Sequence, residues 1–313
     1  MEVLWQLLLL VAGFVMLVKG ADWFVDGAAG IAERFGIPQL VIGLTIVAMG
    51  TSAPEAAVSI SAAFKGTADI TMGNIVGSNI LNILVILGLT SVIVAVAVQK
   101  STVRYEMPFM IGITVLLLAF GLTGNVVGRL EGGVLWLLFI GYLVYLYRMA
   151  MRQKQAEQQE KKEKDKLWKL LVCVVGGLAL VVFGSDVAVD AATRLAKIAG
   201  LTDKFIGLTV IALGTSLPEL VTSVSAARKG KADIAIGNIV GSNIMNILFV
   251  IGTTALITPV PFQKGFLPDM LIAIAAGVLL LLCVLRSKKL TRPGGAVMLL
   301  GYAAYFAWLC IGK

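Results

Sequence analysis

Residues 50–55 read Gly-Thr-Ser-Ala-Pro-Glu, and residues 73–84 read Gly-Asn-Ile-Val-Gly-Ser-Asn-Ile-Leu-Asn-Ile-Leu. The same pattern returns 164 positions later, as Gly214-Thr-Ser-Leu-Pro-Glu219 and Gly237-Asn-Ile-Val-Gly-Ser-Asn-Ile-Met-Asn-Ile-Leu248. Between 36–84 and 200–248 there are 31 identities in 49 positions, without a gap. Two acids, Glu55 and Glu219, stand at matching places inside apolar helical segments. A carboxylate near the centre of a bilayer costs about 3 kcal/mol on insertion scales, so each needs a cation, a partner or water.

The surroundings of the repeat are those of a membrane protein. The chain is 58% hydrophobic and 14% charged, and its apolar runs repeatedly exceed the length that crosses a bilayer. Ten such segments run at about 3–30, 37–64, 70–97, 105–123 and 130–150, then 167–197, 203–228, 234–258, 266–286 and 294–312. The expected fold is an all-α membrane protein of ten transmembrane helices. The polar stretch 152–166, rich in Lys, Glu and Gln, reads as a solvated connector. It divides a five-helix repeat, 1–151, from a second, 167–313. With an odd number of crossings per half, the second copy enters from the opposite face, which makes the repeat inverted.

Charge sets the expected orientation. With the N-terminus outside, inner loops hold 18 of the 26 Lys and Arg residues, among them eight from Arg148 to Lys169. The positive-inside rule therefore places both termini outside the cell membrane and the linker in the cytoplasm. This bias also accounts for the net charge of +8 better than a nucleic-acid partner does. An apolar run follows Met1-Glu2 with no basic region before it, so no cleaved signal peptide is expected. The three cysteines lie in apolar runs, and there is no histidine. A disulfide framework, a soft-metal site and a histidine proton shuttle are thereby excluded. No nucleophile–base constellation or phosphate loop suggests an enzyme, and no cofactor is implied.

Spacing gives the acids a neighbourhood. Glu55 lies ten residues before Lys65, and Glu219 ten before Lys229. That is roughly 15 Å of helix from opposite faces, so both carboxylates are expected near the midplane. Thr51 and Glu55 are four residues apart, as are Ala48 and Ser52, which puts them on adjoining strips of one helix. Pro54 has no N–H to give the carbonyl of Gly50, and Pro218 none for Gly214, so a kink is expected that turns backbone oxygens toward a cavity. Carbonyls, hydroxyls and carboxylates form the ligand set of hard cations such as Ca²⁺ or Na⁺. Ser78 and Asn82 are again four residues apart in the third segment, with Ser242 and Asn246 as their copies in the eighth; the amides can coordinate a cation through oxygen or hold a neighbouring carboxylate by donating N–H. Asn74, Asn79, Asn238 and Asn243 are expected to cap or bond between helices. Asp22, Asp26, Asp186 and Asp190 obey the same offset and read as interfacial or helix-bonding groups.

With these residues the chain resembles the sodium/calcium exchanger family, within the cation/Ca²⁺ antiporters, and the likeness to its two alpha-repeats covers nearly the whole chain. The resemblance implies a five-plus-five inverted fold with four small cation sites at its centre. It implies an antiporter exchanging Na⁺ for Ca²⁺ by alternating access, with these ions as substrates, the bilayer as surroundings and a single chain sufficient for transport. Carried over by position, Glu55 and Glu219 hold Ca²⁺, with backbone carbonyls of Thr51 and Thr215. Ala48, Ser52, Ser78 and Glu219 contribute to one flanking Na⁺ site, with Ala212, Ser216, Ser242 and Glu55 as its mirror image. Asn82 and Asn246 border the middle site. Some family members place an acid where Asn246 stands, so this chain has only two carboxylates at its centre. One Ca²⁺ neutralises them, whereas three Na⁺ leave one excess positive charge. The Gly-Asn-x-x-Glu type of helix found in the proton-coupled branch is absent, which favours Na⁺ over H⁺. The alternatives are an H⁺/Ca²⁺ antiporter, a K⁺-dependent Na⁺/Ca²⁺ antiporter and, more remotely, a cation channel.

Overall fold

A computed structural model describes residues 2–156, 166–200 and 212–311. The described chain is helical apart from turns and four two-residue strands. In a bilayer a backbone must satisfy its own polar groups, which a helix does within one segment. The helices are α1 Glu2–Phe35, α2 Gln39–Thr51, α3 Ala53–Phe64, α4 Ile70–Ile93, α5 Thr102–Gly124 and α6 Arg129–Ala156. They continue as α7 Leu167–Ile198, α8 Leu217–Arg228, α9 Ala232–Ile257, α10 Lys264–Leu285 and α11 Arg292–Ile311.

Among the described residues, eight helices are long and apolar enough to cross a membrane, and α2 with α3 makes a ninth as one span bent by 52°. The tenth expected segment, 203–228, is described only from Ala212, where a short turn Ala212–Gly214 leads into α8; its residues 203–211 lie outside the described residues. Part of the connector does too, and α6 extends as helix to Ala156. The bend between α2 and α3 falls at Ser52, where Pro54 occupies the first turn of α3, as the missing N–H requires. Pro218 holds the same place in α8.

The duplication extends to the backbone. Gly66 and Gly230 end α3 and α8 with φ of 74° and 73°, the left-handed stop that glycine takes without strain. π-helical turns occupy Asn82–Leu87 in α4 and Asn246–Ile251 in α9. Val96–Ala97 (β1) pairs antiparallel with Lys289–Leu290 (β4), and Val126–Val127 (β2) with Val260–Pro261 (β3). Each half therefore gives one strand to each two-stranded pair.

The equivalent helices α1 and α7 pack on each other more extensively than any other pair. A Cβ on Gly13 would meet Gly184 O at 2.8 Å, and one on Gly20 would meet Gly177 O at 2.8 Å. Residue numbers rise along α1 as they fall along α7, so the two copies run antiparallel. Close approach at small residues is how helices gain contact where lipid offers no hydrophobic drive. At the centre stands α9, whose apolar window is 94% buried, against 11% for α11 at the periphery. α2 crosses α9 where a Cβ on Gly237 would lie 3.0 Å from Leu40 O, and one on Gly241 2.8 Å from Leu44 Cα. This crossing brings the broken helix of one half against the signature helix of the other.

Candidate ion-binding site

Glu55 and Glu219 each sit in the first turn of a helix, α3 and α8, that begins at the break. An N-terminal turn offers unpaired N–H groups and the positive end of the helix dipole, which favour a carboxylate there. Both side chains are buried, 1% and 0% exposed, and lie within electrostatic reach of each other. No Lys or Arg pairs with either among the described residues. Ser52 donates its hydroxyl to Glu219 Oε1 across the halves at 2.9 Å. Ser78 donates to Glu55 Oε1 at 3.4 Å.

The second oxygens are unpaired. Glu55 Oε2, Glu219 Oε2, Asn82 Oδ1 and Asn246 Oδ1 are buried without a hydrogen-bond partner, as is Ser216 Oγ. The amides are held in that orientation by their nitrogens: Asn82 Nδ2 donates to Asn243 Oδ1 at 2.9 Å, and Asn246 Nδ2 to Asn79 Oδ1 at 3.1 Å. Asn79 and Asn243 in turn donate to each other's backbone carbonyl, both at 3.3 Å. These two asparagines bond between helices, as expected, and lock α4 to α9 on the axis relating the halves. A buried acceptor without a donor costs about 1–3 kcal/mol. Two equivalent pairs of such oxygens, with no nitrogen or sulfur ligand beside them, match the chemistry of hard cations.

Asn74 and Asn238 reach a partner that sequence reasoning missed. Asn74 Nδ2 donates to Ser59 Oγ at 3.0 Å and to Glu55 O at 3.3 Å. Asn238 Nδ2 donates to Ser223 Oγ at 3.0 Å and to Glu219 O at 3.4 Å. The available signal was that Ser59 and Ser223 follow the glutamates by four residues at the common offset. Thr51 is fully buried and donates to Asn238 Oδ1 at 2.9 Å, whereas Thr215 is half-buried.

Two serines stand in each other's expected set. Ser242 Oγ reaches the carbonyl of Ala48 at 3.5 Å, and Ser78 bonds Glu55. The geometry therefore groups Ala48, Ser52, Ser242 and Glu219, and places Ser78 with Glu55. The crossing of α2 over α9 is the cause, because it carries Ala48 to the opposite half's helix. Ala48 O also accepts the Ser52 N–H at 3.0 Å, so the kink does not strip that carbonyl of its helical bond. Ala212 opens its turn, and its side chain lies outside the described residues.

The site is not symmetric. A cavity of about 600 Å³ is lined by Ser52, Ala56, Ile60, Ser61, Lys65 and Phe249 among others. On the equivalent face, Ser225 donates to Asp22 at 2.7 Å, Lys229 pairs with Asp22 at 3.3 Å and Asp26 at 2.8 Å, and Lys231 with Asp26 at 3.5 Å. Asp22 and Asp26 are thus helix-bonding groups. Their copies Asp186 and Asp190 make no ion pair with Lys65 among the described residues.

The family model described as sodium/calcium exchanger protein matches residues 5–148 and 169–311. A putative antiporter, CaxA of Alkalimonas amylolytica, is 40% identical over 94% of this chain and 95% of its own length. The sodium/calcium exchanger MaX1 of Methanosarcina acetivorans is 32% identical over 96% of this chain and 97% of its own. A solved structure of the sodium-calcium exchanger NCX_Mj, soaked with 2.5 mM Na⁺ and 0.1 mM Ca²⁺, aligns with a TM-score of 0.83 at 30% identity, covering 96% of this chain and 97% of that one.

Proposed function

The chain belongs to the sodium/calcium exchanger family, a family of membrane cation/Ca²⁺ antiporters, and we propose that it exchanges three Na⁺ for one Ca²⁺ across the cell membrane by alternating access. The observation that carries this reading is the set of four partnerless buried oxygens on Glu55, Glu219, Asn82 and Asn246. We assign Ca²⁺ to the two carboxylates with the carbonyls of Thr51 and Thr215. One Na⁺ site takes Ala48, Ser52, Ser242 and Glu219, and its mirror image takes Ala212, Ser216, Ser78 and Glu55. Asn82 and Asn246 border the middle site. The same carboxylates serve both ions, so Na⁺ and Ca²⁺ compete for one cavity. An empty cavity leaves two unneutralised acids in a dry interior and resists the transition, which prevents leak.

Alternating access then uses the asymmetry. The antiparallel α1–α7 pair slides across the core formed by α2–α4, α8 and α9. In one state Asp22 and Asp26 hold Ser225, Lys229 and Lys231, and the Lys65 face is open. In the other, Asp186 and Asp190 hold Ser61 and Lys65, and the Lys229 face opens. In this reading the halves are 1–151 and 167–313, both termini are extracellular and the 152–166 linker is cytoplasmic.

The test is uptake of radiolabelled Ca²⁺ into proteoliposomes loaded with Na⁺. Uptake is expected to need the outward Na⁺ gradient and to vanish in Glu55→Gln and Glu219→Gln. Uptake driven equally by a pH gradient would move the assignment to H⁺ coupling, and uptake with no opposing gradient to a channel.

A further inference from the structure

A second polar site lies between α5 and α6, apart from the exchange residues. Glu106 and Tyr142, 1% and 4% exposed, line a cavity of about 390 Å³ with Arg104, Phe109, Leu137 and Tyr145. The Tyr145 hydroxyl donates to Glu106 Oε1. Glu106 Oε2 and the Tyr142 hydroxyl have no hydrogen-bond partner, and the two groups lie within electrostatic reach of each other. Phe109 stacks on Tyr142 with ring centroids 5.7 Å apart. The cavity thus has an acid at its floor, aromatic faces for walls, and Arg104 at its rim. Arg104 is exposed, lies 5.6 Å from the Tyr105 ring, and makes no ion pair among the described residues.

The second half carries a related pair, in which Tyr305 of α11 donates to Asp269 Oδ1 of α10 at 2.7 Å. An acid–tyrosine bond thus ties these two helices in each half, but neither Asp269 nor Tyr302 is among the buried groups without a partner. The unsatisfied oxygens are a feature of the Glu106 side alone among the described residues. Keeping a carboxylate there, with an oxygen and a phenol unsatisfied, calls for a ligand that brings hydrogen-bond donors and positive charge. Carboxylate and aromatic faces together suit an ammonium group, and the volume exceeds what a bare inorganic ion fills.

Position narrows the class. Glu106 lies in the first turns of α5, and Tyr145 three residues before Arg148, the first of the basic residues that lead into the charged linker. That is the depth of lipid headgroups, where basic residues between spans meet phosphates. Leu137, 70% exposed, forms an apolar lip beside the cavity. We propose that this cleft binds a primary-amine phospholipid, its ammonium on Glu106 Oε2 and Tyr142, its phosphate on Arg104 and its acyl chains along the outer face of α6.

The experiment is native mass spectrometry of the full chain released from membranes and titrated with phosphatidylethanolamine or phosphatidylglycerol. The wild type is expected to retain one phosphatidylethanolamine in preference to phosphatidylglycerol, and Glu106→Gln to lose that retention by at least about tenfold, the worth of a charge-assisted hydrogen bond. Glu106→Met, which removes the carboxylate at similar volume, is expected to lose it equally, and thermal unfolding of each variant separates lost binding from a lost fold. Free ethanolamine is expected not to compete at comparable concentration. Equal retention of the two lipids, undiminished retention in either variant, or displacement by ethanolamine alone would overturn the proposal.

Discussion

Glu219 and Asn246 show how far a single side chain decides occupancy. Glu219 accepts one hydroxyl through Oε1 and leaves Oε2 bare in a fully buried position. Binding that fills such a position stabilises the fold by mass action, about 2.7 kcal/mol at a hundredfold excess over Kd. Ca²⁺ is therefore expected to raise the melting temperature of the wild type in detergent and to leave Glu219→Gln unmoved. A Ca²⁺ response of wild-type size in that variant would remove Glu219 from the site. Asn246→Asp probes the same balance from the other side. It replaces the amide that donates to Asn79 and adds a third negative charge. Without ions the variant is expected to lose about 1–3 kcal/mol of stability, from a lost donor and an unpaired buried charge. Saturating Ca²⁺ is expected to restore much of that loss, and the paired melting curves give both values.

The contact between helices α1 and α7 rests on residues without side chains. A Cβ on Gly177 would meet Phe24 N at 2.5 Å and Gly20 O at 2.7 Å, both backbone atoms that cannot yield alone. On neighbouring Gly176 it would meet nothing within 4 Å. Gly177→Ala is thus expected to cost about 1–3 kcal/mol through overpacking, and Gly176→Ala to cost nothing, read from thermal unfolding in one detergent. The ion pairs that tie α1 to α8 are a weaker kind of contact. Asp22, Asp26 and Lys229 are 36%, 54% and 27% exposed, and such pairs are worth up to about 1 kcal/mol each. In the proposed cycle they bias the equilibrium between the two states without fixing it. Lys229→Met is expected to reduce thiol labelling of a Ser61→Cys reporter in the open cavity, by up to about fivefold. Unchanged labelling would show that the pairs do not hold the state.

Over the whole molecule, what could be read in advance was what the two halves repeat. The break at Pro54 and Pro218, the buried glutamates and the amide pairs all follow from residues that recur at the offset of 164. The serine grouping did not, because it depends on how α2 crosses α9, and a docking angle leaves no trace in either segment alone. The π turns at Asn82 and Asn246 have no periodicity that separates them from α-helix, and strands of two residues carry no alternation. Glu106 escaped notice because the offset of 164 does not hold beyond the repeat's first three segments: its counterpart in the second half is Asp269, bonded to Tyr305 as Glu106 is to Tyr145.

The same scale governs the energetics of a full cycle. Among the described residues, only Glu55 and Glu219 bring negative charge to the centre. With the proposed stoichiometry, one Ca²⁺ makes that centre neutral and three Na⁺ leave it one charge positive, so the Na⁺-loaded transition would be the step that carries charge through the membrane field. One elementary charge moved across 100 mV is worth about 2.3 kcal/mol, close to a fiftyfold change in an equilibrium constant at 25 °C. In proteoliposomes clamped with K⁺ and valinomycin, Ca²⁺ uptake against Na⁺ efflux expels one net positive charge per cycle, so it is expected to be opposed when the interior is negative and favoured when the interior is positive. The sign follows from the count alone, because uptake of two charges on Ca²⁺ accompanies loss of three on Na⁺. A positive interior should thus raise the extent of Ca²⁺ accumulation, and a negative one lower it. An accumulation independent of the clamped potential would require two Na⁺ per Ca²⁺, the number that fills the two flanking hydroxyl sites alone.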